Sequence, residues 1–129
     1  MKHFDFFGDG AELHHVGMAV ESVADLCPTC ELVVEEGQGV SYAFIDVHGA
    51  RIELLEPLGE DSPILASLRK GVKLLHLCFE VPDLDVALEV SKRSGFHRIR
   101  KVARASSLED RRLAWVFSPE FGLFELLEK

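Results

Sequence analysis

Apolar residues alternate with polar or small residues in short runs along most of the chain, and glycines, prolines and acidic residues separate the runs. Alternation of this kind predicts β-strands with one buried face. Two runs resemble each other, since residues 13–20 read LHHVGMAV and residues 74–81 read LLHLCFEV. Each has a histidine early in the run, His15 and His76, which lie 61 positions apart (76 − 15). The matching runs indicate an internal repeat.

The segments that follow the two runs repeat the same order of predicted elements. Each run precedes a helical pattern, at 21–26 and at 82–95, and then three further strand patterns. We expect these strands at 31–36, 40–47 and 51–57 in the first half and at 96–102, 113–118 and 123–129 in the second. A short helix over 62–70, with Pro63 in its first turn, joins the halves. The pattern predicts a single α+β domain over residues 1–129, built of two paired βαβββ modules at about 12–58 and about 73–129.

Two glutamates occupy matching places in the strands that close the two halves, Glu53 in RIELLEP and Glu125 in LFELLEK. Their separation is 72 (125 − 53), which exceeds the histidine spacing of 61 by 11 residues. We expect the surplus as an insertion in residues 104–112, which read RASSLEDRR and have no counterpart in the first half. Each half of the repeat therefore supplies one histidine and one glutamate.

These four residues are the candidate ligands of a metal ion. Strand alternation puts each histidine on the face opposite the bulky apolar residues of its run. A carboxylate in the middle of a buried strand is costly unless it is paired or bound to a metal. Taken singly, such residues are more often satisfied core or surface side chains. Taken together, His15, Glu53, His76 and Glu125 predict a site for one divalent ion, and their imidazole and carboxylate groups suit Mn, Fe, Co, Ni or Zn.

The net charge argues against one class of partner. A formal charge of −8 and an isoelectric point near 5.2 do not suit a nucleic-acid surface, which needs a clustered basic excess. Residues 97–112 are the one locally basic stretch. This stretch predicts either an ordinary solvated loop or a place where a phosphorylated ligand binds. The candidate phosphate contacts are Arg98, Arg100, Lys101 and Arg104.

The sequence also carries signals about compartment. No apolar run approaches the roughly 18 residues that a membrane span needs, and the N-terminal MKHFDFFGDG lacks the apolar core of a signal peptide. Three cysteines, an odd number, favour a reducing compartment, and we expect a cytoplasmic protein. Cys27 and Cys30 form a lone CPTC motif, which is a weak zinc or redox signal, and we expect them to be structural thiols.

Four segments carry a resemblance to known proteins, namely LHHVGMAV, ELLEPLGEDSPI, LHLCFEVPDL and the closing GLFELLE. They are similar to segments of the vicinal oxygen chelate superfamily and, within it, of the methylmalonyl-CoA epimerases. The resemblance covers about residue 13 to the C-terminus. It implies a glyoxalase-like fold, in which the two modules form a curled mixed sheet around a metal cavity. It also implies that His15, Glu53, His76 and Glu125 are the metal ligands.

The resemblance further implies an activity, the epimerisation of an acyl-CoA such as methylmalonyl-CoA by a metal-dependent enzyme that we expect to be a homodimer. In that reaction one base removes the proton between thioester and carboxylate, the metal holds the enolate, and a second base returns a proton. One base corresponds to Glu125. The other falls at Gly37, so we expect the neighbouring Glu36 to turn inward through a bulge. The four basic residues of the stretch 97–112 would then hold the CoA phosphates.

Three other functions within the superfamily fit parts of this pattern. A glyoxalase I-like lyase uses the same four ligand types. An extradiol dioxygenase uses only three protein ligands, so Glu53 argues against it. A non-catalytic ligand-binding protein of the bleomycin-resistance kind needs no metal. The paired histidine and glutamate ligands argue against it, whereas the lack of a glutamate at Gly37 favours it.

Overall fold

The structure is a computed structural model that describes residues 1–129 and has a mixed α+β architecture with short helices. None of these helices combines the length and the apolar character that a membrane crossing requires. In chain order the elements are β1 (Glu12–Ala19), α1 (Val23–Leu26), β2 (Val33–Glu35), β3 (Val40–Val47), β4 (Ala50–Pro57), α2 (Leu65–Arg69), β5 (Leu74–Val81), α3 (Leu84–Arg93), β6 (His97–Arg98), β7 (Ala103–Ala105), β8 (Arg111–Ser118) and β9 (Gly122–Glu128).

The order of these elements confirms the predicted repeat, because β1 and β5 are each followed by one helix and then by further strands. The chain divides into two compact units. One is His15–His76, and the other combines Met1–His14 with Leu77–Lys129. We call them the His15–His76 unit and the discontinuous unit.

The His15–His76 unit contains a mixed sheet with strand order β2-β3-β4-β1, in which only the β1–β4 pair is parallel. The short helix α1 begins after Ser22, whose hydroxyl accepts a hydrogen bond from the backbone N–H of Asp25 at 3.2 Å. It covers one face of the sheet, where Val23 packs with Ala43 and Leu54. On the other face Ile64, just before α2, packs with an apolar cluster of Ala19, Val40, Tyr42 and Leu55.

The discontinuous unit has the strand order β5-β9-β8-β6, with β7 also paired to β8, and here only β5–β9 is parallel. Helix α3 begins after Asp83, whose carboxylate accepts from the N–H of Val86 at 3.1 Å. Its buried Leu84 and Ala87 pack against one face of the sheet. The partners on that face are Phe7, Val81, Phe96, Ala114, Val116, Phe124 and Leu126.

Two predicted strands are shorter than expected. β2 ends at Glu35, and a 3-10 turn follows over Glu36–Gln38 and ends at Gly39, which has a positive φ of 68°. The predicted strand 96–102 is reduced to the two residues of β6. The N–H of Ile99 still donates to the carbonyl of Trp115 in β8 at 3.0 Å, and regular pairing with β8 resumes at β7. The stretch expected to hold the insertion forms the end of β7, a tight turn and the start of β8.

The expectation that Cys27 and Cys30 are structural thiols is wrong, because their Sγ atoms form a disulfide. Cys27 ends α1, and the N–H of Cys30 donates to its carbonyl at 3.1 Å, which brings the two Cα atoms to 5.3 Å. That separation is within the range that a disulfide can bridge. The number of cysteines did not predict this bond, because the distance between Cys27 and Cys30 depends on where α1 ends. Cys78 is a buried free cysteine.

A charged network joins the C-terminal strand to helix α3. Arg112 binds the carboxylate of Glu128 through two N–H groups at 3.0 and 2.8 Å and also contacts Asp85 at 3.2 Å. The same Glu128 carboxylate accepts from the backbone N–H of Leu84 at 2.8 Å. The hydrogen bonds from Arg112, and then the one from Leu84, lower the pKa of Glu128 to about 2. The network therefore stabilises the start of α3 while Glu128 is ionised.

We predict that Glu128→Gln lowers the free energy of unfolding at neutral pH by roughly 0.5–1.5 kcal/mol, because a partly exposed network of charge-assisted hydrogen bonds loses its anionic member. The folded-state pKa lies below the ordinary value of 4.5. The stabilisation is therefore complete above that value and is lost as the pH falls towards about 2. Urea unfolding of the variant and the wild type at several pH values should show their difference shrinking over this interval.

Glu89→Gln is the matched control, because Glu89 pairs with Lys92 on the exposed surface of the same helix. It should change the unfolding free energy little at any pH. If Glu128→Gln changed the unfolding free energy by the same amount at every pH, the result would contradict the low pKa of Glu128.

Candidate metal centre

Three buried side chains of the His15–His76 unit converge on one point. The Nε2 atoms of His15 and His76 lie 3.2 Å apart. The Oε1 atom of Glu53 lies 3.4 Å from the first of these nitrogens and 3.8 Å from the second. His15 is 1% exposed, and the other two residues are each 7% exposed. These residues are three of the four ligands that the sequence predicts, and the structure brings these three together.

The register of β1 on β4 explains how the sheet accommodates two imidazoles and a carboxylate. Gly17 lies opposite Glu53, so no side chain of β1 occupies the space beside the carboxylate. The imidazole of His76 fills that space, and a Cβ atom on Gly17 would lie only 2.2 Å from its Cε1. The ring of Phe44, opposite Glu53 on β3, packs against His15 with centroids 5.4 Å apart.

The three donor atoms fit a divalent metal ion. In a triangle with edges of 3.2, 3.4 and 3.8 Å, a central point lies at about 2 Å from each atom. Zinc–nitrogen and zinc–oxygen bonds measure about 2.0–2.2 Å. Two imidazoles and one carboxylate are also a common ligand set for catalytic zinc and non-haem iron, in which other coordination positions are open to substrate. The geometry of these three residues is therefore that of a candidate metal centre.

The fourth predicted ligand, Glu125, belongs to the discontinuous unit. It lies mid-strand in β9, opposite Cys78 on β5 and Trp115 on β8, and is 7% exposed. The alternation of β9 places it on the face away from Phe124 and Leu126, which pack towards α3. Its place in the ligand set stays a prediction.

The expected inward turn of Glu36 is wrong. A 3-10 turn does interrupt the strand there, but Glu36 is its first residue and is exposed, whereas Glu35 is buried at 7% exposure. Glu35 is opposite Val40 in the β2–β3 register, and so shares a sheet face with Tyr42, Phe44 and Glu53. The acid buried on the face that carries Glu53 is therefore Glu35, one residue earlier than expected.

The predicted phosphate contacts do not share one environment. Arg98 is opposite Val116, so it lies on the α3 side of its sheet, the face away from Glu125. Arg104 donates to the carbonyl of Asp110 at 3.0 Å. Arg100 and Lys101 are exposed in the segment between β6 and β7. Binding of CoA phosphates by any of the four stays a prediction.

Sequence reasoning did not assign a function to Gly17, although the signal was present. A glycine in the interior of an apolar strand often marks a close approach of another group. Gly17 follows His15 by two residues and therefore shares its face. Glu35 could not be found in this way, since its orientation depends on where β2 ends.

Comparisons with known proteins agree with this fold. The Glyoxalase/Bleomycin resistance protein/Dioxygenase superfamily matches residues 14–115. An ethylmalonyl-CoA/methylmalonyl-CoA epimerase of Cereibacter sphaeroides is 41% identical over 63 residues, which cover 47% of this chain and 47% of that protein. The matched part thus spans about half the length of that curated relative.

Two solved structures are similar over nearly the whole chain and confirm the glyoxalase-like fold. A hypothetical protein from Bacillus halodurans has a TM-score of 0.78 and 28% identity, with 94% of this chain and 96% of the other covered. Methylmalonyl-CoA epimerase from Mycobacterium tuberculosis has a TM-score of 0.77 and 24% identity, with 99% and 92% covered. At that identity the second likeness shows the fold alone.

We predict that Gly17→Ala weakens the binding of Co²⁺ or Zn²⁺ by roughly tenfold to a hundredfold, the range seen when groups that orient metal ligands are altered. The new methyl group overlaps the imidazole of His76, which must rotate away. Because that imidazole is the end of a side chain, the fold should survive. Isothermal titration calorimetry gives the metal affinity, and thermal unfolding in EDTA gives the metal-free stability.

Gly37→Ala is the matched control, because a Cβ atom there meets nothing within 4 Å and Gly37 does not need a positive φ. It should bind metal as the wild type does. Wild-type metal affinity in Gly17→Ala would show that Gly17 does not position His76.

Proposed function

The chain belongs to the Glyoxalase/Bleomycin resistance protein/Dioxygenase superfamily, and on this basis we propose that it is a divalent-metal-dependent epimerase of an acyl-CoA such as methylmalonyl-CoA. The observation that carries the proposal is the buried triangle of His15, Glu53 and His76, which suits a metal ion in a family with many metal-dependent enzymes. The Cereibacter sphaeroides relative, named as an epimerase of such thioesters, supports the choice of reaction.

The reaction demands few groups from the protein. The C2 proton of a 2-alkylmalonyl thioester is acidic because a carbonyl lies on one side of C2 and a carboxylate on the other. A base must remove this proton, and an acid must deliver a proton to the opposite face of C2. A divalent ion held by His15, Glu53 and His76 would supply the positive charge that offsets negative charge on the substrate oxygens.

We assign the two proton transfers to Glu35 and Glu125. Both are carboxylic acids at 7% exposure in the sheet, whereas Glu36 is exposed. Glu35 lies on the strand face that carries Glu53, and this shared face supports its role as the base that the sequence did not supply at Gly37. In this assignment one carboxylate takes the C2 proton. The second residue, as a carboxylic acid, returns a proton to the opposite face of C2.

We predict that the metal-loaded protein exchanges the C2 proton of (2S)- or (2R)-methylmalonyl-CoA with deuterium from D₂O and inverts the configuration. Proton NMR follows the exchange, and a stereospecific coupled mutase assay follows the inversion. Removing the metal with EDTA should abolish both, and adding Co²⁺ should restore them. Exchange without inversion would point to a single-base isomerase or lyase, and binding without exchange would point to a non-catalytic protein. Either result would overturn the proposal.

We predict that Glu35→Gln lowers kcat by roughly 10²- to 10⁴-fold while metal affinity stays near that of the wild type, because loss of a general base costs about that much. Glu36→Gln is the matched control one residue away and should remain active, since that side chain is exposed. Steady-state epimerisation and metal titration measure the two effects. Wild-type kcat in both variants would rule out Glu35 as a base. A loss of kcat in Glu36→Gln alone would support Glu36 as the base, as the sequence suggested.

A further inference from the structure

An exposed arginine, Arg51, lies on the sheet face of the His15–His76 unit that carries Glu53. Both residues belong to β4 and are two positions apart. Their side chains therefore leave the strand on the same face, about 7 Å apart at the backbone. The strand that supplies a carboxylate to the candidate metal centre thus also places a positive charge beside it.

One aromatic ring connects Arg51 to the candidate metal centre. The guanidinium carbon of Arg51 lies 5.8 Å from the centroid of the Phe44 ring, which is within the range of a cation–π contact. The same ring packs against the imidazole of His15, with centroids 5.4 Å apart. Phe44 is also the residue opposite Glu53 in the β3–β4 register. Arg51 and the candidate ligand His15 therefore contact one ring, which holds the guanidinium next to the site.

The guanidinium of Arg51 has no acidic partner in the protein, since its recorded contact is with the ring alone. Asp46 is directly opposite Arg51 on β3, but its Oδ1 atom accepts from the N–H of Gly49 at 3.2 Å, in the turn between the strands. The carboxylate of Glu53 is directed to the two imidazoles. Opposite charges that face each other across a sheet commonly pair. Here the N–H donors of an exposed arginine remain open to a ligand.

We propose that Arg51 binds the free carboxylate of the 2-alkylmalonyl thioester. The inference rests on the proposed epimerase function and names a residue that selects a substrate with this carboxylate. A guanidinium can bind a carboxylate through two parallel N–H···O bonds, and it can stack on an aromatic ring at the same time. The Phe44 ring restricts the side chain before the substrate arrives, so less conformational entropy is lost on binding.

The short distance along β4 favours the acyl carboxylate over the phosphates of CoA. In a malonyl thioester the carboxylate and the thioester carbonyl are attached to the same carbon, C2. A substrate whose thioester carbonyl lies at the candidate metal centre therefore keeps its carboxylate close by, whereas its phosphates lie beyond the whole pantetheine chain. A cation two residues from Glu53 is placed for the acyl group.

Arg51→Gln tests the proposal, because it removes the positive charge and keeps a polar side chain at an exposed strand position. The dissociation constant for methylmalonyl-CoA should rise roughly tenfold to a hundredfold, as expected when a charge-assisted bidentate pair is lost. The dissociation constant for propionyl-CoA, which has the same thioester and phosphates but no carboxylate, should stay at the wild-type value. Isothermal titration calorimetry with the Co²⁺-loaded protein measures both constants.

A phosphate-free substrate, methylmalonyl-pantetheine, distinguishes the two kinds of anionic group. Arg51→Gln should weaken its binding by the same factor as the binding of methylmalonyl-CoA. If the variant instead bound both CoA thioesters more weakly and methylmalonyl-pantetheine normally, Arg51 would be a phosphate contact and the inference would be wrong.

Arg69→Gln is the matched control, because Arg69 is another arginine of the same unit and its exposed side chain contacts Glu60 at 3.5 Å. The control changes the net charge equally and should bind all three thioesters as the wild type does. Equal losses in both variants would show an effect of net charge alone and overturn the inference. The affinity for Co²⁺ should not fall in Arg51→Gln, and a fall would show that Arg51 acts on the metal ligands instead of the substrate.

The same measurements separate this inference from the proposed function. If the wild type exchanges the C2 proton but Arg51→Gln binds methylmalonyl-CoA with wild-type affinity, only the role of Arg51 fails. If the wild type neither binds methylmalonyl-CoA nor exchanges its proton, the epimerase function fails and the carboxylate contact fails with it.

Discussion

The buried carboxylate of Glu53 is the constraint on which the arrangement of the His15–His76 unit depends. An ionised carboxylate at 7% exposure is costly unless cationic or hydrogen-bonding groups surround it. Two imidazoles meet this need, and both must approach the same oxygen within 4 Å. That requirement explains why the position opposite Glu53 on β1 is a glycine, since a Cβ atom there would overlap the imidazole of His76. The groups that satisfy the carboxylate also form the candidate metal site.

Much of this arrangement was predictable because it depends on strand alternation. Alternation put His15 and Glu53 on buried faces, and the repeat indicated His76 as their companion. The orientation of the acids before Gly39 was not predictable, because a one-residue change in the end of a strand reverses the face of every side chain. The 3-10 turn at Glu36–Gln38 sets that end, and its short-range hydrogen bond leaves no periodic signal in the sequence. The Cys27–Cys30 disulfide was missed for a similar reason, since it depends on local turn geometry.

The two units share an order of elements but have different cores. Of the nine phenylalanines, only Phe44 belongs to the His15–His76 unit. The discontinuous unit packs rings such as Phe6 and Phe96, with centroids 5.1 Å apart, and Phe7 and Phe124, with centroids 5.5 Å apart. Aromatic pairs of this kind stabilise a core. Buried polar groups are more demanding, and the His15–His76 unit has two imidazoles, two buried acids and an unpaired hydroxyl. The two compact units therefore differ in character, since one is rich in aromatic packing and the other in buried polar groups.

The division of the discontinuous unit between the two ends of the chain has a consequence for protein synthesis. A ribosome releases the chain from its N-terminus, and compact units generally fold in the order in which they emerge. The His15–His76 unit is complete before Leu77–Lys129 has been translated, whereas Met1–His14 must wait for the last strands. During that time Phe6 and Phe7 lack Phe96 and Phe124, the rings against which they pack. Phe6 and Phe7 therefore stay without these packing partners until β9 has been made.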